Sequence, residues 1–235
     1  MVSELRTLGI IPARGGSKGI PRKNLADVCG RPLIAWSIES GRQLLASGVL
    51  ARCIVSTDDE EIADVAREFG ADVPFLRPAA AATDNAKALA YVLHALDSLE
   101  PADGLYDAVM ILQPTSPRRD PAAIAAAVAQ MSASDADSLI SCYREDYISE
   151  LVMYEDRGNG RIRPRHPSHN KGVRRQDHGP TMVRNGAVYV TRVPYLRKTG
   201  QLVCDHPALL LMSKIDSIDV DTPDDLELLR AVLCR

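Results

Sequence analysis

No stretch of the chain stays apolar for the roughly 20 residues that a membrane-spanning helix requires, and its opening, MVSELRTLGIIPAR, lacks the long apolar core of a secretory leader. The expectation is a cytoplasmic protein with no membrane partner. Cysteine is sparse and unpatterned: Cys29, Cys53, Cys142, Cys204 and Cys234 show no CxxC spacing, which excludes a zinc ribbon and a dense disulfide framework. They read as mostly buried thiols. Charge of one sign is not in excess either. A net charge of −3 argues against a bulk polyanion, so no nucleic-acid partner is expected. Internal repeats are absent, and the five histidines, His94, His166, His169, His178 and His206, lack metalloprotease spacing.

What remains is an ordinary globular composition, 46% apolar and 25% charged over 235 residues, enough for one large domain with a sizeable core. LGIIPAR reads as a buried strand running into a glycine loop, followed by a helix that opens near Pro32. RCIVST is a second strand, and DDEEIADVAREFG a helix capped by Asp58 and stopped at Gly70. DVPFLRP looks extended. A long helix follows Thr83; YDAVMIL, DSLISCY, NGAVYVTR and PALLLMS are strands, DPAAIAAAVAQMSAS is a helix, and a last helix is capped by Thr222 with Pro223 behind it. Strands alternating with helices imply an α/β fold with a mainly parallel sheet and a ligand site at the strands' C-terminal ends. Residues 144–180 break the pattern. Their charged, glycine- and proline-bearing sequence suits a disordered loop or an arm that docks on a partner subunit; the arm is the expectation here.

IIPARGGSKGIPRKN, residues 10–24, joins a flexible backbone to Arg14, Lys18, Arg22 and Lys23. Gly15 and Gly16 let successive N–H groups face a ligand, and the cations add charge, a combination suited to a triphosphate. Neither GxxxxGK[ST] nor GxGxxG is present, and a solvated surface turn has the same composition; its place after a buried first strand favours the ligand. A triphosphate is normally chelated to Mg²⁺, for which SIDVD offers Asp219 and Asp221. In extended backbone these carboxylates share a face while Ile218 and Val220 turn to the core, with Asp216 a possible third acid on the other side. An exposed polar strand face is the alternative. QPTSP supplies amide and hydroxyl groups, and Arg175, Gln176, Arg184 and Asn185 supply donors suited to an anionic carboxylate.

Taken in order, IIPARGGSKGIPRKN, LRPAAAATD, LQPTSP, RRQ followed by NGAVYV, and SIDVDT resemble the acylneuraminate cytidylyltransferase family over almost the whole chain. The resemblance implies one nucleotidyltransferase domain, 1–235, with a Rossmann-like sheet, the 144–180 segment as a dimerisation arm, and a homodimer. It implies Mg²⁺-dependent transfer of CMP from CTP to the anomeric hydroxyl of a nine-carbon 2-keto sugar acid, with release of pyrophosphate. Arg14, Gly15, Gly16, Ser17, Lys23 and Asn24 would then bind CTP together with Arg77 and Asp84. Gln113, Thr115, Ser116, Arg175, Gln176 and Asn185 would bind the acceptor, and Asp219 and Asp221 the metal; Arg14, Lys23 and Asp221 would carry catalysis. The sequence departs from sialic-acid-specific relatives at Leu202 and Val203, where those carry aromatic residues. An eight-carbon (KDO-like) acceptor and a silent nucleotide-binding protein are the competing readings.

Overall fold

The computed structural model describes residues 5–17, 19–81, 88–146, 148, 150–170 and 179–234. The first strand, β1 (Thr7–Pro12), is buried along nearly its whole length. It feeds the glycine loop, a short 3-10 turn at Lys23–Leu25, and a small antiparallel pair, β2 (Asp27–Val28) with β3 (Arg31–Pro32). Helix α1 (Leu33–Ala46) follows, with Pro32 as its N-cap residue rather than inside its first turn. Strand β4 (Arg52–Ser56) leads to α2 (Glu60–Glu68). Its cap is Asp59, not Asp58: the Asp59 carboxylate accepts the Ile62 N–H at 3.0 Å. Asp58 is turned back toward the glycine loop instead. DVPFLRP forms no strand; it lies along the sheet edge through the isolated bridges Ile54–Asp72 and Thr57–Leu76 and the side-chain contacts of Asp72 with Arg52 and of Arg77 with Ser56.

Then come α3 (Ala88–Asp103), β5 (Ala108–Leu112), α4 (Pro121–Ser132), β6 (Ser138–Glu145), the hairpin β7 (Tyr154–Asp156) with β8 (Ile162–Pro164), the long β9 (Thr181–Arg192), α5 (Val193–Thr199), β10 (Ala208–Met212) and α6 (Pro223–Leu233). Six strands form one sheet in the order β10-β6-β9-β5-β1-β4. β9 alone runs against its neighbours, so the sheet is mainly parallel. From β1 the chain passes first to β4 on one side and later to β5 on the other. That reversal leaves a crevice above the carboxyl ends of β1 and β5.

The sheet is covered on both faces, as a parallel sheet must be. Ile11, Ile34, Val55, Met110, Ile124, Val128 and Val188 belong to one buried cluster; Leu8, Ile10, Ile54, Val92, Leu96 and Ile111 belong to the other. A third, smaller cluster of Ile20, Val28, Leu33, Val220, Leu226 and Leu229 docks α6 beside the glycine loop. Thr222 and Asp225 close a reciprocal capping box at the start of α6, so the helix is capped by the residue directly after Asp221.

One expectation fails in this third cluster. Cys29 and Cys234 form a disulfide, while Cys53, Cys142 and Cys204 remain free. The two sulfurs meet because α6 packs on β2, with Arg230 donating to the Asp27 carbonyl at 3.0 and 2.7 Å. Among the described residues of the 144–180 segment, the β7–β8 hairpin pairs only with itself and leaves Val152, Tyr154 and Ile162 exposed. Among the described residues no helix is long and apolar enough to cross a membrane.

Candidate active site

The crevice above β1 and β5 is a cavity of about 570 Å³. Arg14, Ser17, Gly19, Lys23 and Asn24 form its first wall. The loop is held open from behind. Gly15 N–H donates to the Asp58 carboxylate at 3.1 Å, and the Asn24 amide donates to the Arg14 carbonyl at 3.0 Å. Arg22, in the left-handed region at φ 53°, reaches Asp59 and Glu61 at the start of α2. Glycine is required twice here: a Cβ on Gly15 would press on the Asp59 side chain, and one on Gly19 would collide with the Asp221 carbonyl oxygen. Gly16 faces open space.

Asp219 and Asp221 form the second wall. Residues 218–221 are not a strand, yet the expected alternation holds: Val220 is fully buried and Ile218 packs beside it, while both carboxylates face the cleft. Val220 N–H donates to the Thr115 carbonyl at 2.8 Å, tying the aspartate segment to the loop after β5. Lys23 crosses from the first wall, donating to the Val220 carbonyl at 2.7 Å and to the Asp221 carboxylate at 2.8 Å. The fully buried Ser116 donates to Asp219 at 3.3 Å. Asp216 faces elsewhere, paired with Arg118 at 2.7 Å and Ser213 at 2.5 Å, so it is not a third acid of the pair.

The third wall carries Gln113, Pro114 and Thr115 after β5, with Gly186 and Tyr189 of β9 opposite. Arg77 and Tyr91 form the floor. The Arg77 guanidinium lies 4.8 Å over the Tyr91 ring and donates to the Ser56 hydroxyl at 3.1 Å. Burial draws Arg77 below the usual arginine range and lifts the Tyr91 phenol, so this floor is desolvated. Arg14, Lys23 and Arg77 therefore set three cations around a cavity whose carboxylates are confined to one wall.

Arg14, Ser17, Lys23, Asn24, Arg77, Gln113, Thr115, Asp219 and Asp221, each singled out from sequence, thus line one cleft. Asp84, Arg175, Gln176 and Lys18 lie outside the described residues. Asn185 does not line the cleft. Its carbonyl accepts from Ser141 at 2.6 Å and from the Ala187 N–H at 3.2 Å, and its amide donates to Ser217 at 2.8 Å, so its polar groups serve the fold. Arg184 stacks 5.9 Å from the Tyr189 ring, and Leu202 packs on the core. Sequence reasoning passed over Tyr91 and Tyr189, which read as ordinary core positions of a helix and a strand.

It also passed over Arg119. Half-buried as a residue, it keeps its guanidinium out of solvent, donating to the Ser37 hydroxyl at 3.0 Å, to the Ala187 carbonyl at 3.1 Å and to the Gln113 carbonyl. Desolvation pulls it down to about 9, so it still carries its charge at neutral pH.

The two carboxylates suit a divalent cation. Magnesium takes one or two protein carboxylates and completes its shell with phosphate oxygens and water, and this cleft presents two aspartates beside phosphate-seeking cations.

Comparison with known proteins agrees with this geometry. A family model described as Cytidylyltransferase matches residues 8–178. A pseudaminic acid cytidylyltransferase of Campylobacter jejuni is 32% identical over 223 residues, 95% of this chain and 94% of that one. A CMP-N,N'-diacetyllegionaminic acid synthase of Legionella pneumophila is 32% identical over 222 residues, 94% and 93% of the two chains. The structure of a CMP:2-keto-3-deoxy-manno-octonic acid synthetase complexed with CTP superposes with a TM-score of 0.71 at 20% identity, covering 97% of this chain and 98% of that one. With a family match over most of its length and relatives above 30% identity, the chain belongs to the cytidylyltransferase family.

Proposed function

We propose that this enzyme transfers CMP from CTP to the anomeric hydroxyl of a nine-carbon 2-keto sugar acid and releases pyrophosphate. The observation that carries the reading is the meeting of the phosphate loop with the carboxylate pair: Lys23 contacts Asp221 inside a cleft that also holds Arg14, Ser17 and Asp219. The sugar acids for which the pseudaminic and legionaminic relatives are named support the acceptor class.

Transfer at phosphorus needs positioning and charge neutralisation more than covalent help from the protein. The acceptor hydroxyl gives up its proton to the surrounding water as its oxygen bonds to the α-phosphorus, the bond from that phosphorus to the bridging oxygen of the β-phosphate breaks, and pyrophosphate departs with the negative charge. Arg14, Ser17 and Lys23 bind the triphosphate, while Asn24 keeps the loop in shape through the Arg14 carbonyl. Gln113 and Thr115 orient the acceptor hydroxyls, and the desolvated Arg77–Tyr91 floor offers the base and ribose a flat, water-poor surface. Asp219 and Asp221 would hold Mg²⁺, which would neutralise phosphate charge beside them.

We also propose that the enzyme works in the cytoplasm as a homodimer. Exposed apolar side chains on the β7–β8 hairpin, together with Met182 on β9 and Leu209 and Leu211 on the edge strand β10, support the second point; an apolar strand edge of this kind calls for a covering partner.

The direct test is pyrophosphate release with Mg²⁺, CTP and a panel of acceptors: pseudaminate, legionaminate, N-acetylneuraminate, the deaminated nonulosonate and KDO, with ATP, GTP and UTP as controls. Turnover of a nine-carbon acid with CTP alone is the expected result. Turnover of KDO only would move the acceptor to the eight-carbon class, and CTP binding without turnover would leave a nucleotide-binding protein.

A further inference from the structure

We propose that Arg119 is a positioning residue for the acceptor half of the cleft, fixing the gap between Gln113 on one side and Gly186 and Tyr189 on the other. The inference rests on the transferase reading above. The antiparallel pairing of β5 with β9 ends at Leu112 opposite Val188. One step further, Gln113 and Ala187 stand where the next pair would be, but only a long 3.4 Å contact from the Gln113 N–H to the Ala187 carbonyl remains. Here the two strands splay apart, and the cleft opens between them.

Arg119 takes over at that point. Its guanidinium donates to the Gln113 carbonyl and, through Nε at 3.1 Å, to the Ala187 carbonyl, so one rigid planar group spans both sides of the splay. A third N–H reaches Ser37 on α1 at 3.0 Å and anchors the fork to the helix beneath. None of these acceptors is a carboxylate. Asp219 attracts the cation only from beyond hydrogen-bond reach, and the direct hold is the forked geometry, since a guanidinium holds several acceptors in fixed directions where an ammonium acts as a point. Gln113, Gly186 and Tyr189 line the cleft directly beyond these carbonyls, whereas the phosphate loop makes no contact with Arg119 among the described hydrogen bonds. Loosening the fork should widen the acceptor side and leave the nucleotide side alone.

The test is steady-state kinetics of Arg119→Lys, which keeps the charge and loses the fork, with CTP and the acceptor varied separately. The expected outcome is a KM for the acceptor raised about tenfold or more, with the KM for CTP within about twofold of the parent. Arg118→Lys serves as the control. That neighbouring guanidinium pairs with Asp216 outside the cleft, and both constants should stay within about twofold. Equal shifts in the two constants, or none, in a folded Arg119→Lys protein would overturn the inference. Should that variant fail to fold, Ser37→Ala removes only the anchor and is expected to give a smaller split in the same direction; its absence overturns the inference equally. A parent chain silent with every acceptor sinks the transferase reading and this one with it, while an active parent without the split sinks this one alone.

Discussion

Lys23 and Asp221 lie 198 positions apart in the chain and meet at 2.8 Å across the cleft. The lysine side chain is 13% exposed and the aspartate 73%, so water screens much of their attraction. Such a pair contributes roughly 0–1 kcal/mol to stability. What it does is hold the glycine-loop cation and a cleft-facing carboxylate in place. Lys23→Ala and Asp221→Ala should each lower kcat/KM for CTP by about 10²–10³, with melting temperatures within about 2 °C of the parent. The double variant should lose far less than the product of the two, because both residues serve one step. Full activity in either single variant would remove that residue from the mechanism.

Gly19 and Gly16 offer a matched pair within the same loop. A methyl group at Gly19 meets the backbone oxygen of Asp221, which cannot swing aside as a flexible side chain does. At Gly16 the same group meets nothing within 4 Å. Gly19→Ala should therefore push the loop off the aspartate segment, destabilising the protein by about 1–3 kcal/mol and weakening CTP binding at least tenfold. Gly16→Ala should change stability by less than about 0.5 kcal/mol. Calorimetric melting and CTP titration of the two variants side by side check both statements; equal effects would show that the loop's path is not set by Gly19.

Much of this was legible in the sequence, for reasons that can be named. Apolar runs such as LGIIP and AVMIL are too continuous for anything but doubly covered strands, and so they fix a mainly parallel sheet and place the site at its carboxyl ends. In SIDVD the alternation survived even without a strand, since Val220 still had to be buried and its neighbours therefore still faced the cleft. Other features depend on contacts that local pattern does not encode. PRRD presents two adjacent arginines of identical chemistry, yet Arg118 pairs outside with Asp216 and Arg119 turns inward to three uncharged acceptors. Asp58 and Asp59 were equally good caps by type, and the loop's need of one carboxylate for Gly15 decided between them. Asn185 carried the right donors for a ligand, but its amide is already engaged by Ser217 and its carbonyl by Ser141 and the Ala187 N–H.

Cys29 and Cys234 illustrate the same limit, being 205 positions apart. Their disulfide closes nearly the whole chain into a loop, for which a chain-entropy argument gives about 5 kcal/mol at most. Cys234 is exposed and follows directly on the end of α6, so the bond tethers little more than the last turn of that helix. About 2 kcal/mol, or roughly 5 °C in melting temperature, is the expected loss on reduction. Cys29→Ser and Cys234→Ser should both melt like the reduced parent and ignore added reductant. An oxidised parent in which alkylation finds five free thiols, or whose melting is indifferent to reductant, would show that the pair is not bonded in solution.

Asp59 ties stability at low pH to the shape of the phosphate loop. Its hydrogen bonds from Arg22 hold its carboxyl below the usual aspartate value, and the Ile62 N–H adds to the effect. A carboxyl depressed in the folded state stabilises the fold above its unfolded value of about 3.9 and loses that contribution as pH falls through the lower folded value. Arg22 remains 39% exposed, so screening limits the contribution to about 1 kcal/mol. Asp59→Asn retains an N-cap acceptor for α2 and removes the charge together with one of the two oxygens that accept from Arg22. The variant should be less stable than the parent at pH 7 by about that amount, and the gap should close as pH falls below the unfolded value of about 3.9 and the parent's own carboxylate takes up its proton. Because Arg22 also terminates the phosphate loop, the same variant should bind CTP several-fold more weakly at pH 7. Denaturant unfolding from pH 7 into the acid range, paired with CTP titration, separates the two roles: a deficit that persisted once the parent's carboxylate is protonated would trace to the helix cap rather than to the ion pair, and intact CTP affinity would free the loop from its dependence on Arg22.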